Sequence, residues 1–260
     1  MRSFDYIESG KTLLTPHTTS LLAAIHEAKG RQSIQTTIRP DILGTLVAVA
    51  RIQSTDASNR IEGISTSDSR LNDLVSEKVT PRNRNEEEIA GYRDALSVIH
   101  ESHDYIPITP NVILQLHRDL FRHTPLTFAG HFKDSDNVII ERDAHGTSTV
   151  RFAPPSALVT PELIERACSA YTQAIRDGHT DPLLAIAMFI LDFICIHPFN
   201  DGNGRMSRLL TLLMLCRNGY MVGKYISIEH LIEQSKSTYY EALAASTQGW
   251  DDNANDYAPF

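Results

Sequence analysis

The twelve residues from His197 to Arg208, His-Pro-Phe-Asn-Asp-Gly-Asn-Gly-Arg-Met-Ser-Arg, put a base, a carboxylate, two glycines and two guanidiniums into one loop and helix start. That set of side chains suits a polyphosphate. Gly202 and Gly204 leave the backbone free to bend, so that successive N–H groups converge on an anion at a helix N-terminus. Arg205 and Arg208, three positions apart, are expected to project from one helix face toward the same anion. His197 precedes Pro198, which disfavours helix at the histidine and presents the imidazole at a helix end. A histidine near its ordinary pKa of about 6.5 accepts a proton from an attacking hydroxyl. Asp201 suits Mg²⁺, which takes one or two carboxylates together with phosphate and water; as an alternative it caps the following helix. Asn203 offers an amide that bonds phosphate or fixes the loop. No Gly-Lys-Ser or Gly-Lys-Thr follows, so the loop is not a Walker motif, and hydrolysis of a terminal phosphate is not expected.

Helices must carry these groups. Thr109-Pro110, Thr160-Pro161 and Asp181-Pro182 each set a capping side chain before a proline at a helix start. Asn85 before Glu86, Glu87 and Glu88 reads as a cap followed by carboxylates at the positive end of a helix dipole. Gly178 and Gly219 stand where helices should stop. Leu163, Ala167, Ala170, Tyr171 and Ala174 recur at helical spacing. The apolar run Leu183 to Ile196, interrupted by Asp192, is too short to span a bilayer and reads as a buried core helix leading into His197. From Asn137 to Phe152 two β-branched runs flank a polar turn at His145-Gly146, a β-hairpin signal.

The segment 197–208 resembles the signature of the Fic family, His-Pro-Phe-x-Asp/Glu-Gly-Asn-Gly-Arg-x-x-Arg, at all of its fixed positions. The resemblance implies an all-α Fic fold, a helical bundle around a central buried helix pair with a small β-hairpin flap. It implies a protein adenylyltransferase that moves AMP from ATP to a Ser, Thr or Tyr hydroxyl of a target protein or of itself, releasing pyrophosphate. Carried onto this chain, His197 deprotonates the acceptor, Asp201 holds Mg²⁺, and Gly202, Asn203, Gly204, Arg205 and Arg208 bind the phosphates.

Further segments join this resemblance. Ser58-Asn59-Arg60-Ile61-Glu62-Gly63 resembles the family's inhibitory pattern, with Ser58 and Glu62 on one helix face and Gly63 at the helix end. A glutamate delivered to Arg208 occupies the guanidinium that the γ-phosphate needs. Some family members use this glutamate to remove AMP by activating water, and a nucleotide-binding module without turnover is a third reading. The hairpin 137–152 corresponds to the family's flap, with Val138, Ile139 and Ile140 as the strand that docks an extended target. Tyr239 and Tyr240 are expected to form an aromatic wall for adenine. Where some relatives carry an asparagine for the purine edge, this chain reads Ser246-Thr247-Gln248.

The chain has 260 residues, 42% of them hydrophobic, enough for a sizeable core. A net charge of -8 disfavours broad nonspecific attachment to nucleic acid or an anionic membrane, and neither is expected as a partner. Cys168, Cys195 and Cys216 lie in apolar patterns without metal-ligand spacing and are read as buried thiols. With no leader-like apolar stretch at its start, the chain is expected in the cytoplasm. The expected division is an N-terminal helical region 1–84 ending in a linker from Lys78, a core 85–250, and a tail 251–260. Because relatives often continue into a winged-helix domain, the chain is expected to be a short member or a truncated piece. The family's habit of dimerisation makes a homodimer the expected assembly.

Overall fold

A computed structural model describes residues 2–38, 40–142, 148–176 and 178–260. The elements, in order, are α1 (Tyr6–Thr12), α2 (Pro16–Ile38), α3 (Pro40–Ile61), α4 (Asp68–Val75), α5 (Arg84–Ser102), α6 (Pro110–Leu120), β1 (Ile139–Arg142), β2 (Ser148–Phe152), α7 (Thr160–Arg176), α8 (Pro182–Ile196), α9 (Asn203–Arg217), α10 (Val222–Tyr225), α11 (Ile228–Gln234) and α12 (Lys236–Thr247). The fold is helical with one two-stranded antiparallel hairpin, as the sequence implied. No helix among the described residues is long and apolar enough to cross a membrane.

The central pair is α8 and α9. Ten of the fifteen residues of α8 are buried, from Ala185 to Ile196, as expected of a helix that is apolar all round. Helix α9 buries Met206, Leu209, Leu210, Leu213 and Met214 on the same core, which also takes residues of α5, α6, α7 and α12. The three cysteines are buried and free. The N-terminal arm joins this core. Tyr6 of α1 is buried in it, and Arg2 reaches the buried Asp192 of α8 at 3.0 Å.

Two helix starts differ from their sequence reading. The cap of α5 is Asn83, whose side chain accepts from the Glu86 N–H, while Asn85 lies inside the helix and its amide donates to the Ser65 carbonyl. The earlier start lets the carboxylate of Glu86 accept from the Arg82 N–H and pair with Arg70. Thr160 is the first residue of α7, not its cap; its hydroxyl donates to the Ser156 carbonyl. Thr109 and Asp181 cap α6 and α8 as expected. Gly178 and Gly219 follow α7 and α9 with positive φ.

The hairpin pairs Ile139 with Phe152, Ile140 with Val150, Glu141 with Thr149 and Arg142 with Ser148, with a register irregularity between Ile139 and Ile140. The turn expected at His145-Gly146 lies outside the described residues.

Candidate active site

The loop from His197 to Gly202 joins the two central helices, and its shape follows from how each end is held. Helix α8 stops at Ile196 because His197 adopts the left-handed region, φ 48° and ψ 62°, a conformation that costs a non-glycine residue about 1–2 kcal/mol. A clamp from residues 133–137 offsets that strain. The Lys133 N–H donates to the Pro198 carbonyl at 2.8 Å, and its buried ammonium donates to the Ile196 carbonyl and the Asn137 amide oxygen. The Asn137 amide in turn donates to the Phe199 carbonyl. Burial lowers the pKa of Lys133 to about 8, with the charge of Asp136 opposing the fall.

Gly202 starts α9 with φ 83°, and a Cβ there would lie 2.8 Å from the ring of Phe121. Both polar atoms of the Asn203 side chain are spent on Phe199, its oxygen accepting from the N–H and its amide donating to the carbonyl. Asn203 therefore fixes the loop, and the first-turn N–H groups of α9 are what that helix start offers an anion. The Gly202 N–H is turned to Asp201 Oδ1 at 2.6 Å.

The two arginines part. Arg208 is buried and lines a cavity of about 260 Å³ together with His197, Gly204, Glu62, Tyr239 and Tyr240. Arg205 lies outside that lining, packed over Phe121 and 2.6 Å from the buried carboxylate of Glu88 on α5. The common face expected from their spacing thus does not bring both to one cavity, because Glu88 inside the core draws one guanidinium away. Glu88 also accepts from Arg84, which lies 3.5 Å from Asp201.

Ser58, Glu62 and Gly63 come from the end of α3. Arg208 donates from Nε to Ser58 Oγ, and from Nη2 to the Ser58 carbonyl and to Glu62 Oε1, each at 2.8 Å. Gly63, with φ 78°, ends the helix just after Glu62. Behind Ser58, the buried Tyr92 donates to Glu229 at 3.0 Å. The Glu62 carboxylate also rests against Gly204, where a Cβ would overlap Oε1.

Burial lowers the pKa of His197 to about 4, Lys133 adding to the effect while the Ile194 carbonyl and Glu62 oppose it. The ring is therefore neutral at pH 7. Its Nδ1 is enclosed without a partner of good geometry, and the residue lines the cavity.

Tyr239 and Tyr240 meet edge to face, with centroids 5.5 Å apart, on the wall formed by α12. Thr247 lines the same cavity, Ser246 is buried behind it, and Gln248 lines the adjoining groove. On the hairpin, Ile139 and Phe152 face the cavity, whereas Val138, Ile140 and Val150 are exposed. Asp201 is about half exposed, with Oδ2 3.5 Å from Arg84 and Oδ1 3.8 Å from Arg205, contacts long enough to fit a single carboxylate ligand to Mg²⁺. No cluster of three or more His, Cys, Asp or Glu among the described residues forms a metal site by itself.

A family model described as "Fic/DOC family" matches residues 107–215. Residues 107–215 carry a Fic/DOC family domain. A Fido domain-containing protein of Dictyostelium discoideum is 37% identical to the chain over 90 residues, covering 33% of this chain and 58% of that protein. Protein adenylyltransferase fic-1 of Caenorhabditis elegans is 28% identical over 185 residues, 68% of this chain and 31% of the relative. The chain thus spans between about a third and three fifths of the length of these relatives. Among solved structures, a Fic domain-containing signaling protein from Bacteroides thetaiotaomicron superposes with a TM-score of 0.74 at 24% identity, over 92% of this chain and 88% of that one. The likeness in fold extends well beyond the segment 107–215.

Several residues that shape the Fic site escaped the sequence reading. Lys133 and Asn137 follow a glycine turn without any motif of their own, and Glu88 was read only as a helix-start acid. His117 stands on the apolar face of α6 with Ile113, Leu116 and Leu120, a spacing that marks it as buried without saying what it touches.

Proposed function

We propose that this Fic domain is a protein adenylyltransferase, transferring AMP from ATP to a hydroxyl side chain of a target protein or of itself, and that Glu62 inhibits it. One observation carries the reading: a neutral histidine and an arginine already holding a carboxylate line the same cavity, across the start of α9. The carboxylate of Glu62 stands where a phosphate oxygen would be received.

In the transfer, the adenine lies against Tyr239 and Tyr240, and the phosphates run along the start of α9 toward Arg208. The N–H groups of Asn203 and Gly204 and the Arg208 guanidinium meet the growing negative charge with donors already in place. Arg205, held by Glu88, supports the loop from behind. Asp201 is the residue that would hold Mg²⁺, which supplies charge neutralisation on the phosphates when bound. The acceptor oxygen forms its bond to the α-phosphorus as the bridging bond to the β-phosphate breaks, pyrophosphate departs, and the proton passes to His197 Nε2. Bound phosphates raise the basicity of that ring from its free value by their negative charge. The exposed Val138 and Ile140 give an extended target segment a strand to pair with, placing its hydroxyl opposite His197.

Inhibition follows from the same geometry. With Glu62 on Arg208 the γ-phosphate lacks its guanidinium and the α-phosphate is misplaced, and an error of about 1 Å costs on the order of 10²-fold in rate. The test is label transfer from α-³²P-ATP with Mg²⁺ to protein in a lysate. Glu62→Gly should label protein at least tenfold faster than the wild type, and His197→Ala in the same background should label none. A folded Glu62→Gly protein that binds ATP and labels nothing would overturn the proposal, as would AMP release from modified protein with no forward transfer.

A further inference from the structure

His117 lies where three parts of the site meet. It is fully buried, and its ring stacks on Phe199 with centroids 3.7 Å apart and planes 1° from parallel. Phe121, against which Gly202 is packed, meets the ring edge-on at 5.0 Å.

The two ring nitrogens have opposite partners. The Gly130 N–H donates to Nδ1 at 2.9 Å, so Nδ1 carries no proton. Nε2 lies 3.0 Å from the Asp201 carbonyl, which can only accept, so Nε2 carries the proton. Two backbone groups thus select one neutral tautomer.

We infer that His117 is a positioning residue for the phosphate loop, tying the peptide of Asp201 to the Gly130 turn. The inference rests on the proposed nucleotide site. Asp201 gains from such a tie because its side chain is held only by its chain neighbour and by two long ion pairs. Its Oδ1 accepts from the neighbouring Gly202 N–H and lies 3.8 Å from the Arg205 guanidinium, its Oδ2 has the 3.5 Å contact to Arg84, and the group is about half exposed. Its carbonyl is the atom anchored in the core. Turning that peptide would carry with it both the carboxylate and the N–H groups that open α9. Stacking on Phe199 holds the ring in the plane the bond requires, so packing and hydrogen bonding act on one geometry.

A ring that merely fills space predicts that any substitution acts through stability alone. Positioning predicts a difference between two substitutions of similar polarity. In the Glu62→Gly background, His117→Gln keeps a donor at the Nε2 position for Asp201 and loses the acceptor for Gly130; His117→Asn does the reverse. The Gln variant should stay within about fivefold of its parent in kcat, and the Asn variant should fall about 10²-fold with KM for ATP changed less. Equal losses in both variants, tracking their melting temperatures, would overturn the inference. So would an Asn variant that turns over like its parent.

Two readouts do not need turnover. Ring ¹⁵N shifts of the unsubstituted protein should show His117 as the Nε2–H tautomer, and an Nδ1–H tautomer would overturn the inference even if neither variant folds. Calorimetry with a non-hydrolysable ATP analogue should show the Mg²⁺-dependent gain in affinity kept by Gln and lost by Asn. That comparison still decides for or against His117 if the Glu62→Gly parent transfers no AMP, an outcome that would count against the proposed reaction instead.

Discussion

Arg208 and Glu62, 146 positions apart in the chain, meet through a hydrogen bond of 2.8 Å from Nη2 to Oε1. The pair is deep on one side and open on the other: the Arg208 side chain is 5% exposed and that of Glu62 is 34%. A phosphate entering the cavity therefore meets the carboxylate before it meets the guanidinium.

Gly204 tests whether this contact has the strength its geometry suggests. A methyl group there would displace Glu62 Oε1. Gly204→Ala should destabilise the wild type more than it destabilises Glu62→Gly, in which only the 3.3 Å approach to Arg208 Nη1 remains. Urea unfolding of the four proteins in a double-mutant cycle should give a coupling on the order of 1 kcal/mol, and additive changes would show that Glu62 moves aside at no cost.

Arg208→Lys retains charge but loses the fork that bonds Ser58 and Glu62 together. In the Glu62→Gly background, kcat for AMP transfer should fall by about 10-fold to 100-fold, since one charge-assisted bond is worth about 1.5–3 kcal/mol. Steady-state rates at saturating ATP check this.

Acid should weaken the fold well before carboxylates titrate. Burial lowers the pKa of His100 and of His197 to about 4 in the folded protein, from an ordinary value of 6.5. Between those values the unfolded chain binds more protons, so stability is full above about pH 6.5 and is lost as pH falls toward 4. Each histidine contributes on the order of 1–3 kcal/mol across that window. Urea midpoints at pH 7, 6, 5 and 4 should decline, and His100→Gln should flatten the decline.

Asp192 joins both ends of the chain to the central helix. It is fully buried and accepts from Arg2, Tyr6, Trp250 and Tyr257. Burial raises its pKa while Arg2 and the three donors oppose the rise. Asp192→Asn leaves the guanidinium of Arg2 buried without its counter-charge, and should destabilise by about 3–5 kcal/mol in urea unfolding. The same loss should follow from no substitution at the exposed pair Lys11 and Glu8, where solvent screens the contact.

The sequence by itself determined the local grammar of this protein. A histidine before proline ends α8, a glycine able to take positive φ opens α9, and an apolar run without a polar face must be buried. Those effects act within a few residues, so order and type suffice to read them. Ser58 and Glu62 were legible as one face of a helix for the same reason. Tertiary structure decided which groups each face would meet. Arg205 and Arg208 look alike in sequence, yet Glu88 on α5 takes one, and Ser58 with Glu62 from the end of α3 takes the other. Lys133, Asn137 and His117 shape the loop through backbone carbonyls and N–H groups, which every residue carries and no motif can mark. Proximity over more than sixty positions is set by packing the core, and it is there that the loop acquires its shape.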